Sequence, residues 1–280
     1  MVQETNFCAS CVPEAKGKPW WILIEESPKW LRVKVGDHFL ANSKHALIVN
    51  EAGRLPVYYF PIEDLDQSLL RKSESTMFTE HKGQAEFYDI VVDGREIKDA
   101  IWGYPHPHQD SAGLKGFVAI DWKSADQWFE EEEEIFVHAR DPYTRIDTIG
   151  SSRHVVVKLN GEIVADSVRP VILFETGLTP RYYLPAEDIR FGLFTATDSV
   201  TRCPYKGFAS YWTADVNGKT YEDVLWSYQD PIPEVIKIKG LYSFYNEYVD
   251  ELLVDDVPWK LAENNRLPFK GHSPSDLDNK

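Results

Sequence analysis

The feature that most constrains this chain is that it contains itself twice. Sliding the 280-residue sequence against itself by 124 positions places Lys82-Gly83 on Lys206-Gly207, Tyr58-Tyr59-x-Pro61 on Tyr182-Tyr183-x-Pro185 and Glu63-Asp64 on Glu187-Asp188. The same shift places Trp102-x-Tyr104 on Trp226-x-Tyr228, Pro107 on Pro231 and Lys115-Gly116 on Lys239-Gly240. The register holds without a gap from Leu31 to about Ile120, with about a quarter of the pairs identical. A repeat of this length means two copies of one folding unit. The reading is an arm over residues 1–29, a first repeat over 30–140, a second over 150–260 and a flexible tail over 261–280. Asp141-Pro142 and Gly150-Ser151-Ser152 punctuate the crossover.

Each unit reads as mainly β. Leu31, Val33 and Val35 alternate with Arg32 and Lys34, and His154 to Leu159 is rich in Val. Asn160-Gly161, Asp93-Gly94 and Asn217-Gly218 sit between apolar runs, where a type I′ hairpin turn needs positive φ at both central residues; Gly36-Asp37 takes the remaining place. The fold class expected is two homologous antiparallel β units, half-open barrels or β-tents, each with a short helix. Ser124-x-x-Gln127 has the form of a capping box, with Glu130 to Glu134 as a solvated helix face and Asn246 opening the equivalent helix in the second copy.

Composition narrows the function. Lys and Arg number 30 against 45 Asp and Glu, a net charge of −15, which repels nucleic-acid phosphates and anionic lipid and argues against both as partners. Three cysteines make no disulfide framework, and no apolar run is long enough for a transmembrane helix, so a cytoplasmic protein is expected. The P-loop, dinucleotide-binding, serine-hydrolase and zincin motifs are absent.

Three blocks of the second copy carry a family resemblance. They are Glu175-Thr176-Gly177 with Pro180-Arg181-Tyr182-Tyr183-Leu184-Pro185 and Asp188, then Thr201 to Tyr211 with its Cys203-Pro204-Tyr205-Lys206-Gly207 core, then Trp226-Ser227-Tyr228-Gln229-Asp230-Pro231. They resemble the DUF427 family over roughly residues 30 to 260. The resemblance implies a small, mostly β domain found singly or in tandem, and it implies no reaction. The first copy departs from the pattern with Thr79-Glu80-His81 where the second has Cys203-Pro204-Tyr205.

The chemistry expected follows from the repeated blocks. Lys206, Tyr228 and Asp230 offer a cation, a phenol and a carboxylate for acid–base work, and Cys203, between Arg202 and Lys206, is a candidate nucleophile. Arg181, Arg202 and Lys206 make a positive spot suited to a small acidic or polar organic ligand, with Tyr183, Tyr211 and Trp226 as walls and Lys82 and Tyr104 as first-copy counterparts. Neighbours in a strand face opposite ways, so Tyr182 and Tyr183 cannot both line one pocket. The function expected is a small-molecule enzyme, including of secondary metabolism, that needs no organic cofactor. Two alternatives stand beside it. One is a non-catalytic ligand- or protein-binding module. The other is an enzyme using zinc or another divalent metal at His81, His106 and His108, since His106 and His108 would point the same way in a strand. Cys8-x-x-Cys11 is half of a zinc-ribbon spacing.

Overall fold

A computed structural model describes residues 20–260 and divides the chain into two compact units, 1–141 and 142–280. The tail over 261–280, Cys8 and Cys11 lie outside the described residues.

Among the described residues the first unit has eleven strands: β1 (Ile22–Glu26), β2 (Leu31–Val35), β3 (His38–Ser43), β4 (Leu47–Glu51), β5 (Val57–Pro61), β6 (Leu70–Thr79), β7 (Gly83–Val92), β8 (Arg95–Gly103), β9 (Phe117–Ile120), β10 (Gln127–Glu130) and β11 (Glu133–Ile135). The second repeats them as β12 (Ile146–Gly150), β13 (Val155–Leu159), β14 (Glu162–Ser167), β15 (Val171–Glu175), β16 (Arg181–Leu184), β17 (Phe194–Cys203), β18 (Gly207–Val216), β19 (Lys219–Pro231), β20 (Tyr242–Phe244), β21 (Glu251–Val254) and β22 (Val257–Pro258). Each unit folds into an open seven-stranded antiparallel sheet, ordered β1-β4-β5-β9-β8-β7-β6 or β12-β15-β16-β20-β19-β18-β17, and a four-stranded sheet, β11-β10-β2-β3 or β22-β21-β13-β14. Most strand ends keep the 124-residue offset, and the repeat runs beyond the stretch legible in the sequence, from β1 to β11. Strand β1 lies in the segment read as an arm and pairs with β4 along its whole length.

Two cores follow from the two-residue period of a strand. Between the sheets of the first unit, Val33, Leu40, Tyr58, Phe60, Ile101 and Ile120 pack together; Val157, Leu159, Leu184, Ala214 and Leu225 do so in the second. The opposite face of each large sheet carries a second cluster, with Tyr59, Trp102 and Tyr104 in one unit and Tyr183, Trp226 and Tyr228 in the other. Short 3-10 turns over Gln109–Leu114 and Pro233–Ile238 add Leu114, and Val235 with Ile238, to those clusters. Tyr182 and Tyr183 thus face opposite cores, as do Tyr58 and Tyr59.

Three of the four hairpin turns have the expected geometry; at Gly36-Asp37 only Gly36 (59°) has positive φ. Both residues have positive φ in Asp93-Gly94 (47° and 76°), Asn160-Gly161 (45° and 81°) and Asn217-Gly218 (50° and 81°). The helix expected after Ser124 is not there. The short helices are 3-10 turns, Gln127–Glu130 is strand β10, and Ser124 Oγ donates to Asp121 Oδ2 (2.9 Å) rather than capping a helix. Trp128 explains the difference, because alternation along β10 sends it into the core, where its ring stacks on Trp122. Glu130 is buried and accepts hydrogen bonds from Tyr58 (2.7 Å) and Lys29 instead of forming a solvated face. Asn246 opens a turn and donates to Pro180 O (3.1 Å). Among the described residues no helix is long and apolar enough to cross a membrane.

Candidate functional site

The site grows from the Lys-Gly step between two long strands. β17 ends at Cys203 and β18 starts at Gly207, with Lys206 N donating to Cys203 O (3.2 Å) across the turn. Gly207 has φ +103°, and a Cβ on it would lie 3.2 Å from the Asp230 carbonyl; Gly83 has φ +87° and the same approach, 3.0 Å, to the His106 carbonyl. Only glycine fits both conditions. The turn aims the preceding lysine inward, and each lysine meets a glutamate at the end of an inner strand. Lys206 Nζ lies 2.5 Å from Glu175 Oε2 and Lys82 Nζ 2.6 Å from Glu51 Oε2. A buried ammonium needs such a partner, because desolvation without one costs several kcal/mol per ion.

In the second repeat this pair is ringed by ionisable side chains. Burial opposes the charge of Lys206, but Cys203, then Glu175 and Tyr183, outweigh it and hold the ammonium above the ordinary lysine range. Burial pushes the Tyr183 phenol up to about 12, and its hydroxyl accepts from Trp226 Nε1 at 3.3 Å. Tyr228 is raised well above a normal tyrosine, first by burial and then by Cys203, Tyr183, Tyr211 and Tyr245. Burial also raises Tyr211 and Tyr245, neighbours that influence each other's ionisation, while Tyr211 shares a 2.7 Å hydrogen bond with Thr201. Arg181 lies 5.7 Å from the Trp226 ring and 5.9 Å from the Tyr245 ring and pairs with Glu247 at 2.7 Å. Tyr228 is 6% exposed, and its hydroxyl makes no hydrogen bond among the described residues. At neutral pH the cluster therefore presents a fixed cation and protonated phenols, beside the half-buried side chain of Cys203.

The first repeat keeps the frame and loses the chemistry. Tyr59 accepts from Trp102 Nε1 (3.2 Å) as Tyr183 does from Trp226, and Tyr104 stands for Tyr228. But Thr79 replaces Cys203, Phe87 replaces Tyr211, Asp121 replaces Tyr245 and Val57 replaces Arg181. Its ion pair is also covered. Trp20 Nε1 donates to Glu51 Oε1 (3.1 Å), Arg54 Nε lies 3.2 Å from the same oxygen, and the Trp20 ring stacks on His81 with centroids 4.0 Å apart.

The structure gathers Lys206, Cys203, Tyr228, Tyr183, Tyr211, Trp226 and Arg181, and leaves other expected residues outside. The Asp230 side chain is 93% exposed and pairs with Lys239; its backbone, not its carboxylate, adjoins the Lys-Gly turn. Arg202, next to Cys203 on an alternating strand, is exposed and stacks on Phe208 at 4.7 Å. His106 and His108 sit in a loop rather than a strand. His81 and His108 each approach Asp110 Oδ2 at 3.1 Å, His106 is exposed, and no group of three His, Cys, Asp or Glu side chains suited to a metal forms among the described residues. Two surface clefts, about 360 Å³ beside Asn246 to Leu252 and about 270 Å³ between Ile163 and Arg190, do not include Lys206 or Cys203.

Two members of the cluster escaped the reading of the sequence. Glu175 was legible, since Glu51 matches it at the repeat offset as Lys82 matches Lys206. Tyr245 was not, because its counterpart is Asp121.

The fold and site define a class: a tandem β protein with one duplicated site, elaborated in the second copy and capped in the first. A family model described as a domain of unknown function, DUF427, matches residues 23–131 and 147–255, two spans again offset by 124. The chain belongs to the DUF427 family and carries it in two copies. No curated protein matches the chain.

Proposed function

We propose that the chain is a small-molecule enzyme of the cytoplasm whose acid–base chemistry resides in the second repeat, the first repeat serving as a structural copy. One observation carries this reading. The two repeats share their frame and their buried Lys–Glu pair, yet the Cys203 thiol, the Tyr211 and Tyr245 phenols and the Arg181 guanidinium have no first-repeat counterparts, where Thr79, Phe87, Asp121 and Val57 stand. In this reading Tyr228 donates a proton to the substrate, the Lys206 ammonium steadies the negative charge that develops, and Cys203 exchanges the second proton or attacks as nucleophile. A donor held protonated in a water-poor site suits general acid work, because its hydrogen bond strengthens as charge builds on the acceptor. Asp230 has no part in it. The sparse cysteines support the cytoplasmic assignment.

The test is a turnover screen, followed by NMR, of the wild-type protein with small polar carbonyl compounds and carboxylic acids. Tyr228→Phe and Lys206→Met should each lower the rate on any substrate found by about 100-fold or more. The first-repeat control, Tyr104→Phe, should leave the rate within about twofold. Turnover at the wild-type rate in Tyr228→Phe and Lys206→Met would refute the assignment.

A further inference from the structure

The first repeat holds an indole on the glutamate of its ion pair. Glu51 gives one carboxylate oxygen to Lys82, while the other, Oε1, accepts the Trp20 ring N–H at 3.1 Å beside Arg54 at 3.2 Å. In the second repeat Glu175 gives Oε2 to Lys206 in the same way. Its Oε1 makes no hydrogen bond among the described residues, although the Glu175 side chain is only 8% exposed. The two groups that satisfy Oε1 in the first repeat are replaced at the 124-residue offset by Thr144 for Trp20 and Leu178 for Arg54, a short side chain and one with no donor. Tyr205 stands for His81, a ring again and a buried one. The Glu175 side chain is thus more than nine-tenths buried, while Oε1 has no protein donor among the described residues and is not sealed from solvent, so a donor from outside can reach it beside the most elaborated cluster.

We propose that the second-repeat site binds a planar heteroaromatic compound bearing a ring N–H, of about the size of indole, which donates to Glu175 Oε1 as Trp20 donates to Glu51 Oε1. The proposal rests on the second repeat being the functional unit and names its ligand class. It differs from the acidic ligand suggested by the sequence, and the charges explain why: Lys206 is matched by Glu175 and Arg181 by Glu247, so the remaining need at the ion pair is a donor, not an anion. The N–H selects the ligand, because a hydrogen bond to a charged acceptor in a poorly solvated place discriminates strongly against an analogue lacking it.

The experiment is calorimetric titration of the full chain with indole and with N-methylindole, which keeps the ring and lacks the donor. Indole should bind at one site per chain, and N-methylindole at least about tenfold more weakly. Leu178→Arg, at a surface position, should supply the guanidinium that Arg54 supplies and weaken indole at least about tenfold. Thr144→Trp should install the first-repeat cap and compete indole out. Equal binding of the two probes, no saturable binding of indole, or an affinity unmoved by both variants would each overturn the proposal. Turnover that depends on Tyr228 with no indole binding would sink the ligand class and leave the second-repeat enzyme standing. Indole bound as described, with turnover that ignores Tyr228 and Lys206, would do the reverse.

Discussion

Replacing each buried lysine by methionine tests the claim that the two ion pairs are supported differently. Lys206→Met removes the one partner found among the described residues for a Glu175 carboxylate that is 8% exposed. Breaking a buried pair from one side costs about 3 to 5 kcal/mol, because the remaining charge is left uncompensated. The residual exposure of Glu175 places the loss near the lower end, about 3 kcal/mol. Lys82→Met leaves Glu51 with Arg54 at 3.2 Å and the Trp20 N–H at 3.1 Å. A hydrogen bond to a charged group contributes about 1.5 to 3 kcal/mol, so these partners offset much of the damage and the expected cost is about 1 kcal/mol. The more deeply buried lysine is therefore expected to be the less costly to lose. Two units need not unfold together, so a single melting curve does not decide the matter. Hydrogen exchange read by mass spectrometry does, by following β4 and β7 separately from β15 and β18. Removing both charges, in Lys206→Met with Glu175→Leu, should recover most of the loss. Equal losses in the two repeats, or a larger one for Lys82→Met, would refute the reasoning.

Alkaline pH should unfold the second unit through its phenols. Tyr183 is raised from 10.0 to about 12, so its contribution, about 3 kcal/mol at one pKa unit per 1.36 kcal/mol, is complete below about pH 10 and is lost as pH rises through 12. Lys206, also raised, has the same sign, and ionisation of Tyr183, followed by NMR of the labelled ring, should appear together with unfolding; ionisation of Tyr183 in the folded second unit near pH 10 would contradict it. Gly207→Ala should cost about 2 kcal/mol or more, since it puts a side chain at φ +103° and a Cβ 3.2 Å from the Asp230 carbonyl; denaturant unfolding of that unit with an unchanged midpoint would contradict it.

Much of the fold was legible because a duplication lets the chain check itself. Turn residues that reappear at one offset fix the hairpins, and alternating apolar residues fix the faces. What misled the reading was Ser124-x-x-Gln127 followed by five glutamates, a local pattern that also suits a helix. Trp128 and Glu130 show why the pattern lost. Both point into the unit, and the partners that bury them, Trp122 and Tyr58, are brought together only by tertiary structure. The bulges were equally silent. Asp99 and Asp223 adopt φ of 51° and 46° inside strands, each with its backbone N–H held by the residue at the same place in the preceding strand, Asp89 or Thr213.

The site divides along the same line. Residues shared by both repeats, such as Lys206, Trp226 and Tyr228, stood out as matches, and the structure places them as the frame on which either copy depends. The copies differ at Cys203, Tyr211, Tyr245 and Arg181; the family resemblance brought out Cys203, Tyr211 and Arg181, while Tyr245, matched by Asp121, is the kind of difference that self-comparison discards as noise. Glu175 belongs to both categories. Its match to Glu51 makes it frame, while its unshared oxygen Oε1 distinguishes the second copy, and only coordinates tell one carboxylate oxygen from the other. A duplicated protein thus contains its own control: each contact present in the first repeat and missing from the second, such as the Trp20 N–H on Glu51, marks a position that the second repeat leaves for something else to fill.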